Sequence, residues 1–131
     1  LNAAEHQEFG EYYDRQLLGA LRGEAEFLLL HNHGEDTMFE VLAGYPVDAI
    51  NWHDRETPPS LGEALCETDR ALCGGWRQWE TMVSGTPDDV LTEAHQAIAA
   101  TSGRRLILGT GCVTPIVAPV ANIRAARLAA G

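Results

Sequence analysis

Four short apolar runs alternate with longer amphipathic segments along the chain. The runs occupy 27–30, 47–52, 71–73 and 104–108, and each is too short to form a helix. The first run, bounded by Gly34, suits a strand that is covered on both faces, as parallel strands usually are. Strand and helix alternating four times predict an α/β fold with a parallel sheet and right-handed crossovers.

The intervening segments carry helical periodicity and helix start signals. Segment 5–22 repeats apolar residues at helical spacing and is followed by Gly23, and further helices are predicted at 37–42, 61–69, 86–100 and 120–130. Asp36 or Thr37 is the predicted cap of the second helix, and Ser60 with Glu63 has the spacing of a capping box. Pro87 marks the first turn of the helix that begins near 86.

Composition narrows the class of protein. The chain has 131 residues, 45% of them hydrophobic, which suits one compact domain, and no apolar run approaches the roughly 18 residues that cross a bilayer. A net charge of −10, with no lysine, argues against nucleic-acid or membrane-surface partners. An odd set of three cysteines without a signal peptide predicts a reducing, cytoplasmic compartment. The first residue, Leu1, is not methionine, which suggests a trimmed or processed fragment.

Two histidines follow the first strand directly. Residues i and i+2 of a strand point to the same side, so His31 and His33 leave the predicted sheet together. Cys112 follows the last strand, and zinc accepts a mixed set of nitrogen and sulfur ligands. A hydrogen-bonded structural pair of histidines and a buried, unreactive cysteine remain the alternatives.

A second polar cluster follows the second strand. His53 and Asp54 offer an imidazole beside a carboxylate, a base with an orienting partner, and Arg55 suits a substrate carboxylate. The alternative is a solvated loop with local ion pairs. Because ligands of parallel sheets gather at the carboxyl ends of strands, we treat all three as candidate catalytic residues.

Several segments together resemble the uroporphyrinogen decarboxylase superfamily. The resemblance covers nearly the whole chain and rests on segments 29–34, 46–52, 73–75, 85–87, 107–112 and 122–123. It implies a TIM barrel and one of two chemistries. These are cofactor-free decarboxylation of uroporphyrinogen in haem synthesis, and zinc-dependent methyl transfer from corrinoid proteins to thiols.

The methyltransferase branch matches the candidate metal ligands better than the decarboxylase branch does. The resemblance implies that His31 and Cys112 are the first and last zinc ligands, and that His33 stands where the family has a cysteine. The expected function is therefore zinc-dependent methyl transfer from a methyl-corrinoid to a thiol. The alternatives are a cofactor-free tetrapyrrole decarboxylase, with Arg55 holding a substrate carboxylate, and a non-catalytic half that binds tetrapyrrole or completes a barrel.

The resemblance also sets the expected domain organisation. Residues 1–131 correspond to the C-terminal half of the barrel, with a leading helical segment 1–23 and four βα units in 24–131. Four units alone leave two open sheet edges. We therefore expect either a homo-oligomer or association with a first half of the barrel, and a small-molecule, tetrapyrrole or corrinoid ligand.

Overall fold

A single parallel sheet organises the computed structural model, which describes residues 2–131 and leaves Leu1 outside the described residues. The sheet order is β1-β2-β3-β4, and every neighbouring pair is parallel. The strands are β1 (Leu29–His31), β2 (Ala49–Asn51), β3 (Ala71–Trp76) and β4 (Leu106–Thr110). The α/β parallel fold predicted from the alternation is confirmed.

Helices precede, connect and follow these strands. They are α1 (Ala3–His6), α2 (Tyr12–Leu21), α3 (Phe39–Ala43), α4 (Leu61–Glu67), α5 (Pro87–Thr101) and α6 (Val120–Ala129). A π-helical segment, Gln7–Glu11, joins α1 to α2. Among residues 2–131, no helix combines the length and apolar character that a bilayer-spanning helix needs.

Two of the three predicted helix starts are correct. Ser60 with Glu63 and Thr86 with Asp89 form capping boxes at the starts of α4 and α5. The predicted cap of the second helix is wrong, because α3 begins after Met38, whose φ of 45° is left-handed and whose side chain makes no capping hydrogen bond. The hydroxyl of Thr37 instead donates to the carbonyl oxygen of Pro58 at 3.2 Å.

The main hydrophobic core lies between the sheet and the helices. Ile50 and Leu72 are fully buried on the helix side of the sheet. They pack in one cluster with apolar residues of α3 and α4: Phe39, Leu42, Leu61 and Ala64. The opposite face is open at the two edge strands, where Leu29 and Ile107 are 45% and 38% exposed, while Ala49 and Asn51 on the same face of β2 are buried. The sheet therefore has one face covered by helices and one uncovered face.

The first strand differs from its prediction. It was expected to be covered on both faces, yet Leu29 and the preceding Phe27 are 45% and 54% exposed. Among the described residues, β1 pairs with β2 alone and lies at the edge of the sheet. Because β1 lies at the edge of the sheet and on one side has no helix of residues 2–131 against it, its apolar run remains partly exposed.

Candidate functional site

The register of the sheet aligns a polar row of three residues, at the carboxyl ends of β1 and β2 and within β3. His31 lies opposite Asn51, Asn51 opposite Cys73, and Cys73 opposite Ile107. Side chains at the same level of neighbouring parallel strands project from the same face. This row therefore lies on the face that the helices leave open.

The three residues proposed as metal ligands come together at this edge. A ring nitrogen of His31, a ring nitrogen of His33 and the sulfur of Cys112 all lie within 4.8 Å of one another. Tetrahedral zinc, with bonds of 2.0–2.3 Å, sets its donor atoms roughly 3.5 Å apart. Small side-chain rotations would close that difference, and both histidines are exposed enough to allow them. Two imidazoles and a thiol beside open space fit a zinc site with a vacant coordination position.

Asn51 connects His31 to the rest of the sheet. Its Oδ1 lies 2.6 Å from His31 Nδ1, and its Nδ2 donates to the carbonyl oxygens of Cys73 and Thr110 at 2.8 and 3.0 Å. The residue is only 7% exposed. Sequence reasoning did not include Asn51 in the site, although an amide that ends an otherwise apolar strand is a signal that could have identified it.

His53 lies beside the second candidate ligand. Its Nε2 is 3.2 Å from His33 Nδ1, and its Nδ1 is 3.1 Å from a carboxylate oxygen of Glu56. A Cβ added to Gly111 would lie 2.7 Å from the Cα of His53. The absence of a side chain at Gly111 therefore lets the loop that carries Cys112 pack closely against the end of β2.

Asp54 turns towards β3 and is buried there. Its Oδ1 accepts a hydrogen bond from the backbone N–H of Gly75 at 3.0 Å, and the residue is 8% exposed. Burial raises the pKa of the Asp54 carboxyl from its ordinary 3.8 to about 6. Burial and the charge of Asp54 also raise the pKa of the Cys73 thiol.

Arg55 turns away from the histidines and towards α5. Its guanidinium donates to the backbone oxygen of Gly75, to the side-chain oxygen of Gln96 at 3.0 Å and to the backbone oxygen of Glu93 at 2.7 Å. Its Nε also lies 3.8 Å from the Glu93 carboxylate. The structure therefore does not bring Arg55 to the candidate metal ligands. Its partners lie on β3 and on α5, both later in the chain, which local sequence cannot reveal.

The pKa of Asp54 leads to a testable dependence of stability on pH. Because the folded carboxyl has a pKa of about 6 and the unfolded one about 3.8, the folded chain holds this proton more tightly between about pH 4 and about pH 6. The stabilising contribution of the neutral carboxyl is thus present below about pH 4 and is lost as the pH rises through about 6. Above that pH the buried charge costs at most about 3 kcal/mol.

Asp54→Asn is expected to remove this dependence, because an amide oxygen can still accept from Gly75. Urea unfolding of both proteins across this pH range measures the effect. The variant should match the original chain near pH 4 and exceed it in unfolding free energy at pH 7. A difference that stays constant with pH would show that the Asp54 carboxyl titrates alike in the folded and unfolded chains.

Comparisons with known proteins extend this picture. The family model of uroporphyrinogen decarboxylase (URO-D) matches residues 1–130. Among solved structures, a methyltransferase from Methanosarcina mazei is similar, with a TM-score of 0.81 and 17% sequence identity over 98% of this chain. The chain spans only 37% of that protein, and at this identity the likeness shows the fold alone. No curated protein matches the chain.

Proposed function

The chain belongs to the uroporphyrinogen decarboxylase family, and we propose that it carries the zinc site of an enzyme that transfers a methyl group from a methyl-corrinoid to a thiol. The convergence of His31, His33 and Cys112 supports this proposal most directly. Two nitrogen donors, one sulfur donor and an open side are what a catalytic zinc site requires.

The chemistry follows from this donor set. His31, His33 and Cys112 would hold the zinc, which would supply the Lewis acidity that lowers the pKa of a substrate thiol. In the overall reaction, a sulfur–carbon bond would form as the carbon–cobalt bond of the methyl-corrinoid breaks, with the electron pair remaining on cobalt. Because His31 and His33 would contribute no charge and Cys112 only one negative charge, this ligand set would leave a net positive charge at the site. That charge favours deprotonation of the thiol, and the exposed side of the site lets the proton pass to water.

Tetrapyrrole decarboxylation is the competing function, and it needs a cation that is free to hold substrate carboxylates. Arg55 was the local candidate, but its donors are directed at Gly75, Glu93 and Gln96. The polar residues on the open face supply imidazole, amide and thiol groups instead. This arrangement favours metal binding over decarboxylation.

Zinc binding by the purified chain tests the proposal. After loading and dialysis, we expect about one zinc per chain by mass spectrometry, and we expect a cobalt-substituted sample to show sulfur-to-cobalt charge-transfer absorption. A chain that is folded by circular dichroism but retains no metal would contradict the zinc proposal. In that case a metal-independent decarboxylase or a non-catalytic half barrel would become the better explanation.

We also propose that a further four-stranded half barrel covers the open face of this chain. Apolar residues of the N-terminal helical segment are exposed beside the β1 edge, and others are exposed near the β4 edge: Phe9, Tyr12, Tyr13 and Leu17 in the first group, and Ile107, Val113, Val120 and Ile123 in the second. These exposed apolar residues support the proposal that additional chain packs at both edges.

The number of helices distinguishes a different half barrel from a second copy of this chain. In a closed barrel, one helix covers each junction between neighbouring strands. Here α2 precedes β1 and α6 follows β4. In a barrel of two copies, α6 of one copy and α2 of the other would compete for the same junction. The matching half should therefore bring four strands and only three helices.

Light scattering with a dye that binds exposed apolar surface tests this partner. We expect the isolated chain to bind the dye. We expect it to form no defined dimer in which the dye-binding surface is buried. A dimer that excludes the dye and protects the amides of β1 and β4 from hydrogen exchange would support two copies instead. A monomer that binds no dye would contradict both forms of association.

A further inference from the structure

We infer that Asn51 and the Glu56–His53 pair are positioning residues, which fix the tautomers of His31 and His33 so that each presents an unprotonated Nε2. The relevance of this arrangement to a metal rests on the proposed function. The hydrogen-bond pattern that supports it is present in the metal-free fold. Two separate hydrogen-bond networks support this inference, one at each histidine.

The hydrogen bonds of Asn51 determine which ring nitrogen of His31 carries the proton. The Asn51 amide nitrogen donates to two backbone oxygens, those of Cys73 and Thr110. The side chain cannot be flipped, because its oxygen would then face those two acceptors. Asn51 Oδ1 must therefore face His31 Nδ1, at 2.6 Å, and must accept a hydrogen bond from the N–H group at that position. A neutral His31 with a proton on Nδ1 leaves the lone pair of Nε2 free.

The hydrogen bonds of Glu56 and His53 determine which ring nitrogen of His33 carries the proton. An ionised carboxylate only accepts hydrogen bonds, so His53 Nδ1 donates to Glu56 across 3.1 Å. A neutral His53 then has an unprotonated Nε2, which lies 3.2 Å from His33 Nδ1 and accepts a hydrogen bond from the N–H group at that position. His33 is again left with a free Nε2. The Glu56 carboxylate, which can only accept, therefore sets the donor and acceptor roles in both hydrogen bonds.

His31 and His33 therefore adopt the same tautomer, with the proton on Nδ1, although different residues determine it. The hydrogen bond at one ring nitrogen decides which nitrogen remains available for a ligand, and such partners also hold the ring in orientation. His53, proposed from sequence as a catalytic residue, acts through His33 in this assignment. Loss of such a partner typically weakens metal binding about 10- to 100-fold.

Nitrogen NMR of the metal-free, ¹⁵N-labelled chain tests the assignment. Couplings from the ring carbon-bound protons to both ring nitrogens identify each tautomer at a pH where the histidines are neutral. We expect His31 and His33 both to carry the proton on Nδ1. Either histidine protonated on Nε2 in the unmodified chain would overturn the assignment for that residue, and this measurement needs no variant to fold.

Single substitutions test whether each partner acts on its own histidine. Asn51→Ala should mix the tautomers of His31 and leave His33 unchanged, whereas His53→Ala should do the reverse. Each should weaken zinc binding roughly 10- to 100-fold. Asn51→Asp, which keeps an acceptor for His31, should preserve the tautomer even if it lowers stability. His95→Ala, at an exposed position on α5, is the matched control and should change neither histidine.

The outcomes separate this inference from the proposed function. If the tautomers are as assigned but neither the original chain nor any variant binds zinc, the positioning network is supported and the zinc proposal fails. If zinc binds but Asn51→Ala leaves the His31 tautomer unchanged, the zinc proposal stands and Asn51 is not its positioning residue.

Discussion

Replacing Cys112 by alanine is expected to abolish retention of zinc by the chain. Cys112 supplies the only sulfur among the three converging side chains, and its loss would leave the two imidazoles of His31 and His33. Zinc sites bind their metal with about 10–16 kcal/mol, so one of three protein ligands accounts for roughly 3 kcal/mol, at least about a hundredfold in affinity. Zinc content after dialysis should fall from about one per chain to near zero.

The other cysteines provide controls for this experiment. Cys66 is exposed on α4, and Cys73 lies in the polar row but outside the converging group. Cys66→Ala should leave both zinc content and the sulfur-to-cobalt absorption unchanged. If Cys112→Ala retained zinc and that absorption while Cys73→Ala lost them, the metal would lie deeper on the open face, with Cys73 as its sulfur ligand.

Local patterns were sufficient to predict the order of the strands and helices. The apolar runs, Ser60 with Glu63 and Pro87 each report interactions within a few residues, and the structure has elements at the corresponding places. The spacing of His31 and His33 and the position of Cys112 after the last strand could be combined in the same way. All strands of a parallel sheet end at one edge, which places the three residues at the same end of the fold. Their convergence also depends on the curvature of the sheet, because β1 and β4 are its two outer strands, and the sequence pattern does not give that curvature.

The functions of the buried polar groups could not be predicted in this way. Asn51 holds His31 only because the register sets them opposite each other and because Cys73 and Thr110 supply acceptors from two other parts of the chain. The exposure of β1 also depends on its position at the edge of the sheet, with β2 as its one paired strand among residues 2–131. Both features are set by tertiary contacts, which a local sequence pattern does not encode.

Arg55 is the clearest example of a residue whose tertiary contacts could not be predicted from local sequence. Replacement of its partner Glu93 is expected to have a large effect on stability. Glu93 is only 8% exposed. Its carboxylate accepts from the backbone N–H of Arg77 at 3.1 Å and from the Arg77 guanidinium at 2.6 Å, and it lies 3.8 Å from Arg55 Nε. One acidic group therefore ties the segments after β2 and β3 to helix α5.

Glu93→Ala is expected to lower the free energy of unfolding by about 3 kcal/mol, because it leaves two partly buried guanidinium groups without their carboxylate. Urea denaturation at pH 7 measures the loss. Glu93→Gln, which keeps an acceptor but not the charge, should lose less. Gln96→Ala removes a neutral, exposed acceptor of the same Arg55 and should cost under about 1 kcal/mol.

The same variants decide what Arg55 does. If Arg55 is structural, Arg55→Ala should destabilise the chain in parallel with Glu93→Ala, and the double variant should lose less than the sum of the two single losses. Zinc content should stay near that of the original chain wherever the protein remains folded, since His31, His33 and Cys112 do not contact this network. If Arg55→Ala left stability unchanged, the contacts of Arg55 with α5 would contribute little to the fold. Arg55 would then again be a candidate for holding a substrate carboxylate.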